Sequence, residues 1–224
     1  MTRARQQSTA YAEQVQRFYR SEVDRHGYNH KGLGYRRQES QVRRFEVLAD
    51  IGTLHRCRIL DVGAGLGDFL AYLYRRGVVP DYTGLELCEH LVAGSEQRFS
   101  TGALGRYRFI AGDILDLSVD APFDYVIASG IFGLHTTETR ARVAPTLKRM
   151  VALSTRGVAV NFLSANATAH AERSEYLRPA DLLEIAWGLT PAVTLRHDYL
   201  PNDFTLYLYR QRRWPNLARK GDPS

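Results

Sequence analysis

Three glycines at alternate positions, Gly63, Gly65 and Gly67, follow the run Ile59-Leu60-Asp61-Val62 and are followed at once by Asp68 and Phe69. Glycine turns sharply and lets the backbone approach a ligand with no Cβ in the way. The apolar run before the turn reads as a buried strand, and Leu66, Phe69, Leu70 and Leu73 after it recur at helical spacing. A strand, a glycine loop and a helix start present backbone N–H groups and the positive end of a helix. The chemistry on offer is capture of a nucleotide-like ligand. A tight turn that binds nothing is the alternative for the loop taken alone.

Spacing separates two ligand classes. The dinucleotide fingerprint G-x-G-x-x-G would need glycine at 63, 65 and 68, but position 68 is Asp68. An acid at a helix start repels a pyrophosphate and suits an amino group or a positive centre. The run D-x-G-x-G-x-G from Asp61 therefore favours S-adenosylmethionine over a nicotinamide dinucleotide, with Asp61, Gly63, Ala64, Gly65 and Gly67 facing it. Glu86 stands nineteen residues after Gly67, at the end of Asp81-Tyr82-Thr83-Gly84-Leu85. A carboxylate there can accept both ribose hydroxyls, and Leu87 can pack on an adenine face. Asp113 follows the run Tyr107–Ala111 and can accept the adenine amino group, with Ile114 flanking the ring. Ser129 lies at the small-residue end of the run from Phe123 to Gly130, where a strand tip must leave room for a ligand.

A second group of residues could meet whatever the ligand reacts with. His135 could be a base or a positioning donor, or an ordinary loop histidine. Tyr35, Arg36 and Arg37 could bind a ligand carboxylate or an acidic acceptor, because a guanidinium fork fits a carboxylate. Asn161 interrupts the buried run Gly157–Ser164, and His197 precedes a turn. Tyr11, Tyr19 and Tyr28 could belong to a lid or to the core.

These residues need elements to hold them. Tyr11, Val15, Phe18, Tyr19 and Val23 form one stripe of a helix over 8–26, and a second helix runs over 39–50. Further helices are predicted after the glycine loop to Gly77, over 91–99, over 138–154, and over 179–188 with proline in its first turn. Strands are predicted at 59–62, 81–86, 107–111, 123–130, 157–164, 192–199 and 204–209, the last two joined by Leu200-Pro201-Asn202-Asp203. A short turn implies antiparallel neighbours. The alternation predicts an α/β fold: a Rossmann-like, doubly wound, seven-stranded sheet, mostly parallel with an antiparallel C-terminal hairpin, and helices on both faces. Ligands should sit beyond the strand C-termini at the topological switch. The expected division is an N-terminal helical segment at 1–50 that could form a lid, the main domain at 51–212, and a tail at 213–224.

The 224 residues suffice for one full α/β core, and 44% hydrophobic and 24% charged content is ordinary for a globular protein. No apolar run of about eighteen residues predicts a membrane span, and the polar first sixteen residues do not read as a secretory signal. Cys57 and Cys88 make neither a metal spacing nor a disulfide framework. A cytoplasmic protein with reduced cysteines and no metal is the expectation. Net charge is +6, with arginines gathered early (Arg3, Arg5, Arg36, Arg37, Arg43, Arg44) and late (Arg210, Arg212, Arg213, Arg219, with Lys220). That charge could attract nucleic acid. Lysine supplies only three of the thirty basic side chains, so an arginine-rich background explains it equally.

Taken in order, Ile59–Gly67, Thr83-Gly84-Leu85-Glu86, Ala111-Gly112-Asp113 and Phe123-Asp124-Tyr125-Val126 resemble the motifs of class I S-adenosylmethionine-dependent methyltransferases. The resemblance covers roughly residues 40 to 210, terminal hairpin included. It implies that the Gly63–Gly67 loop holds the methionine part of the cofactor, Glu86 the ribose, and Asp113 with Ile114 the adenine. Ala64 stands where many members carry Cys or Ser. The flanking segments Gly34–Gln41, Ala128–Phe132 and Arg196–Phe204 are similar to a bacterial branch of that family, which implies the reaction type and not the acceptor. No Asn/Asp-Pro-Pro-Tyr/Phe run follows strand four and no RNA module is visible, so a small-molecule acceptor methylated on O or N leads. An RNA methyltransferase and a non-catalytic sensor of the cofactor or its product are the rivals.

Overall fold

The computed structural model describes residues 3–211, so the tail from 213 and the late basic group Arg212, Arg213, Arg219 and Lys220 lie outside the described residues. The elements run α1 (Arg3–His26), α2 (Gln38–Ala49), β1 (Arg58–Val62), α3 (Asp68–Arg75), β2 (Asp81–Glu86), α4 (Glu89–Phe99), β3 (Tyr107–Ala111), β4 (Phe123–Ala128), α5 (Thr139–Leu153), β5 (Ser154–Ser164), β6 (Tyr176–Leu177), α6 (Pro179–Trp187), β7 (Ala192–Leu200) and β8 (Asp203–Tyr209). One sheet has the order β3-β2-β1-β4-β5-β8-β7, with β6 beside β5. β1 to β5 pair in parallel, and β8 pairs antiparallel with both β5 and β7. The sheet is eight-stranded rather than seven-stranded. The extra strand is β6, which pairs through only Tyr176 and Leu177. Two residues are too few to carry an alternating pattern.

Apolar residues on the two sides of the strands build two cores. One joins Leu60, Val62, Val126, Val158 and Val160 to Val143, Leu147 and Met150 of α5 and to Leu182 and Ala186 of α6. The other joins Ile59, Tyr82, Ile127 and Ala159 to Phe45 and Leu48 of α2, to Phe69 and Leu73 of α3, and to Val92 and Phe99 of α4. α1 belongs to neither. Its Tyr11, Val15 and Val23 close a third cluster with Leu66, Cys88 and Leu91.

The chain leaves β1 for β2 and β3 on one side, then returns to place β4 on the other. The parallel strands diverge in connection there, and their C-terminal tips open a crevice. No helix among the described residues is long and apolar enough to cross a membrane.

Candidate functional site

The crevice at these tips has a volume of about 1350 Å³, larger than the roughly 300–1,000 Å³ that one small ligand needs. Asp61, Gly63, Ala64, Gly65, Glu86, Leu87, Asp113, Ile114, Ser129, Asn161, Tyr35 and Arg36 all line it. Sheet order sets their sequence across the crevice: Asp113 after β3, Glu86 on β2, Gly63 after β1, Ser129 after β4, Asn161 on β5.

Gly63 has φ +71°, and a Cβ on it would come 2.4 Å from Cγ2 of Ile131. The loop's amides are already committed. Gly63 and Ala64 donate to the Leu85 carbonyl at 2.7 and 3.1 Å, Gly67 donates to Ala64 at 2.9 Å, and Gly65 donates to Glu86 Oε2 at 2.9 Å. These four groups make no phosphate cradle. Around them are carboxylates instead. Glu86 is buried and its other oxygen accepts the Cys88 amide at 3.0 Å, and burial pushes its carboxyl up. Asp68 holds Gln41 at 2.9 Å and Arg98 at 2.5 Å. A floor lined by carboxylates, with its loop amides already bonded, suits a ligand with a positive centre.

Asp61 is the most perturbed member. Burial pushes its carboxyl from the ordinary 3.8 up to about 7; the 2.5 Å hydrogen bond from Tyr82 opposes that rise, and Glu86 and Asp68 add to it. The folded protein therefore keeps a proton between about pH 4 and about pH 7 that the unfolded chain has lost. Asp61 favours folding on the acid side of that window, and the contribution is lost as pH rises through 7. Asp61→Asn is expected to raise Tm at pH 8 and leave it unchanged at pH 4, because the amide oxygen still accepts the Tyr82 hydroxyl. Melts at the two pH values check this, and an equal change at both would refute the assignment.

At the β3 end, Asp113 Oδ1 accepts the Leu115 amide at 3.0 Å and Oδ2 pairs with Arg142. The Arg142 guanidinium also lies 4.3 Å from the centre of the Tyr11 ring, so α5, the β3 tip and α1 meet there. Gln16 on α1 donates to the Leu87 carbonyl at 2.8 Å. At the other end, Tyr35 and Ser129 are hydrogen-bonded at 3.2 Å, and burial pushes the Tyr35 phenol up. Asn161 Oδ1 accepts the Gly130 amide at 2.7 Å. Arg44 on α2 makes a two-pronged pair with Asp203, at 2.6 and 3.0 Å, and stacks over Tyr35 at 5.1 Å.

Three expected site residues fall elsewhere. Gly67 caps α3 with φ +71°, and a Cβ on it would strike Phe99 at 2.6 Å and Phe109 at 2.8 Å, so its lack of a side chain serves packing behind the loop. His135 is outside the crevice, exposed, and held at 2.6 Å by buried Glu175. His197 lies on β7 against Phe204, with ring centres 5.8 Å apart, and does not line the crevice. Sequence reasoning missed Arg142, Gln16, the Arg44–Asp203 pair and His170, which stacks on Tyr176 at 4.1 Å on the crevice rim. Arg142 had a signal. It sits in the fourth position of α5, whose first turn has no acid, and a cation at a helix N-terminus is unfavourable unless it has another partner.

Comparison with known proteins agrees with this geometry. Residues 59–157 match the family described as "Methyltransferase domain". A protein of Mycobacterium tuberculosis (strain ATCC 25618 / H37Rv), named "Putative methyltransferase Rv1506c", is 32% identical over 155 residues, which cover 66% of this chain and 90% of that protein. The chain belongs to the class I S-adenosylmethionine-dependent methyltransferases. S-adenosylmethionine is the cofactor of this methyltransferase. Among solved structures, magnesium protoporphyrin IX methyltransferase from Synechocystis PCC 6803, with bound S-adenosylhomocysteine, has TM-score 0.59 at 18% identity, covering 77% of this chain and 81% of that one. The glycopeptide N-methyltransferase MtfA, complexed with S-adenosylhomocysteine, has TM-score 0.57 at 14% identity, covering 77% and 90%. At those identities the shared property is the fold. Among the described residues no group of three His, Cys, Asp or Glu side chains is placed to hold a metal.

Proposed function

We propose that this methyltransferase moves a methyl group to an O or N atom of a small-molecule acceptor. Asp61, Gly63, Ala64 and Gly65 hold the methionine part of the cofactor, Glu86 the ribose, and Leu87, Asp113 and Ile114 the adenine. The observation that carries this reading is the order of the strand tips. Three tips, β3, β2 and β1, bear the nucleotide-type partners in sequence, and the next two, β4 and β5, bear Ser129 and Asn161 on the same crevice. That half offers Tyr35 and Asn161 to an acceptor, and the crevice volume allows both molecules at once.

Methyl transfer is an in-line displacement at a sulfonium carbon that carries its own activation. The protein's contribution is to orient two reactants and exclude water. α1 supplies the cover in this reading. Its Tyr11, Val15 and Gln16 contact the β2 and β3 side of the crevice, and Tyr11 rests on Arg142. In this reading α1 alone is the lid on the domain that follows, since α2 packs its Phe45 and Leu48 into the core.

The test is calorimetric titration with S-adenosylmethionine, S-adenosylhomocysteine and NAD at low and moderate salt. Saturable binding of the two adenosyl ligands with NAD silent is expected. Binding of NAD alone, or of nothing, would refute the placement. An RNA acceptor would reveal itself by RNA affinity that falls steeply with salt.

A further inference from the structure

One buried side chain narrows the acceptor. Asn161 is 1% exposed on β5. Its oxygen is identified by its partner, because the Gly130 amide can only donate. That leaves Nδ2, a two-proton donor, buried with no hydrogen-bond partner on the crevice wall. A buried donor left without a partner is costly, and Asn161 is a lining residue of the crevice. The Tyr35–Ser129 pair stands on the neighbouring tip and contributes a second hydroxyl proton.

The same wall is poor in bases. Burial pushes the phenols of Tyr35, Tyr19 and Tyr199 up, so they stay protonated. Asp203 is spent on Arg44. Asp61 receives the Tyr82 hydroxyl and lies two strands from Asn161, with β4 between, roughly 10 Å at about 4.8 Å per strand. His135 is outside, and His170 is exposed at the rim on the Tyr176 ring. An alcohol, a phenol or an ammonium acceptor must lose a proton during the reaction. A carboxylate has none to lose.

We infer that the acceptor group is a carboxylate on an apolar body, gripped by Asn161 Nδ2 beside the Tyr35–Ser129 hydroxyls, and that the product is a methyl ester. This rests on the methyl-transfer reading above. A carboxylate oxygen attacks the methyl carbon with a lone pair; the O–C bond forms, the C–S bond breaks, and its electron pair stays on sulfur. One negative and one positive charge become a neutral ester and a neutral thioether, and no proton moves. Exposed Arg36 and Arg37 at the mouth attract the anion. Phe162, Leu163 and Leu200 line the same end and receive the apolar body.

The experiment measures binding of 3-phenylpropionate, 3-phenylpropanol and 3-phenylpropylamine to protein saturated with S-adenosylhomocysteine. It uses the unmutated chain and Asn161→Asp, which keeps the oxygen that accepts from Gly130 and replaces only the donor. The acid is expected to bind at least tenfold tighter than the alcohol and the amine. Asn161→Asp is expected to lose at least tenfold of that affinity while S-adenosylhomocysteine binding stays within threefold. Equal affinities, or no binding of the acid to the loaded protein, would overturn the inference alone. A tenfold loss of S-adenosylhomocysteine binding in Asn161→Asp would assign Nδ2 to the cofactor and overturn it too. Failure of the unmutated chain to bind S-adenosylhomocysteine would overturn the parent reading. The three-ligand comparison on the unmutated chain stands even if the variant does not fold.

Discussion

Gly65→Arg is expected to weaken S-adenosylmethionine binding at least hundredfold while the domain stays folded. Gly65 has φ +56°, and a Cβ there would sit 3.2 Å from both methyl carbons of Leu33. The left-handed backbone costs a non-glycine residue about 1–2 kcal/mol, a modest part of a domain's stability. The new guanidinium should enter a floor lined by Asp61, Asp68 and Glu86, which the proposed placement assigns to the ligand's own positive centre. Affinity should fall at least hundredfold, about 2.8 kcal/mol, by calorimetry, with Tm lowered by a few degrees. Gly77→Ala is the control: its φ is +72°, yet nothing lies within 4 Å of a Cβ there, so it carries the same backbone strain and should bind normally. Undiminished affinity in Gly65→Arg would remove the loop from the cofactor site.

Arg44→Ala should cause the largest loss of stability among single substitutions at the crevice. Asp203 is 1% exposed, and both its oxygens are held by the one guanidinium. Taking away one partner of a buried ion pair costs about 3–5 kcal/mol because the other charge is stranded. At about 2–4 °C per kcal/mol for a domain of this size, Tm should drop by roughly 6–20 °C. Replacing both partners, Arg44→Met with Asp203→Leu, should recover most of the loss, since no charge is then left buried. A drop below about 3 °C for Arg44→Ala would mean that water reaches Asp203 and that the pair does not fix α2 to the β7–β8 turn.

What the sequence revealed about the site follows from locality. Glu86, Asp113 and Ser129 each come directly after an apolar run, so their places at strand tips can be read from a few neighbours. Asn161 stood out as a polar residue inside a buried strand, which is the position it occupies. Gly67 misled because a ligand and a packing constraint both demand a missing Cβ, and only the distant rings of Phe99 and Phe109 distinguish them. His135 misled because its partner Glu175 is forty residues further on. His197 misled because the register of β7 against β8 shifts between Arg196 and Leu200, so alternation along the strand does not say which way it faces. α1 was legible as a helix from its stripe. Its contact with the Leu87 carbonyl depends on Gln16, a residue whose polar side chain fits solvent as well as a backbone partner.

The order of the strand tips has a consequence for how this chain can change. Glu86 on β2 and Asn161 on β5 are three strands apart, about 14 Å at roughly 4.8 Å per step. Substitutions beyond about 7–10 Å with no shared partner combine additively. In the proposed placement the loop at 165–175, on the acceptor side of the crevice, is therefore expected to be open to redesign with the nucleotide half left as a fixed chassis and the free-energy effects of the two halves summed.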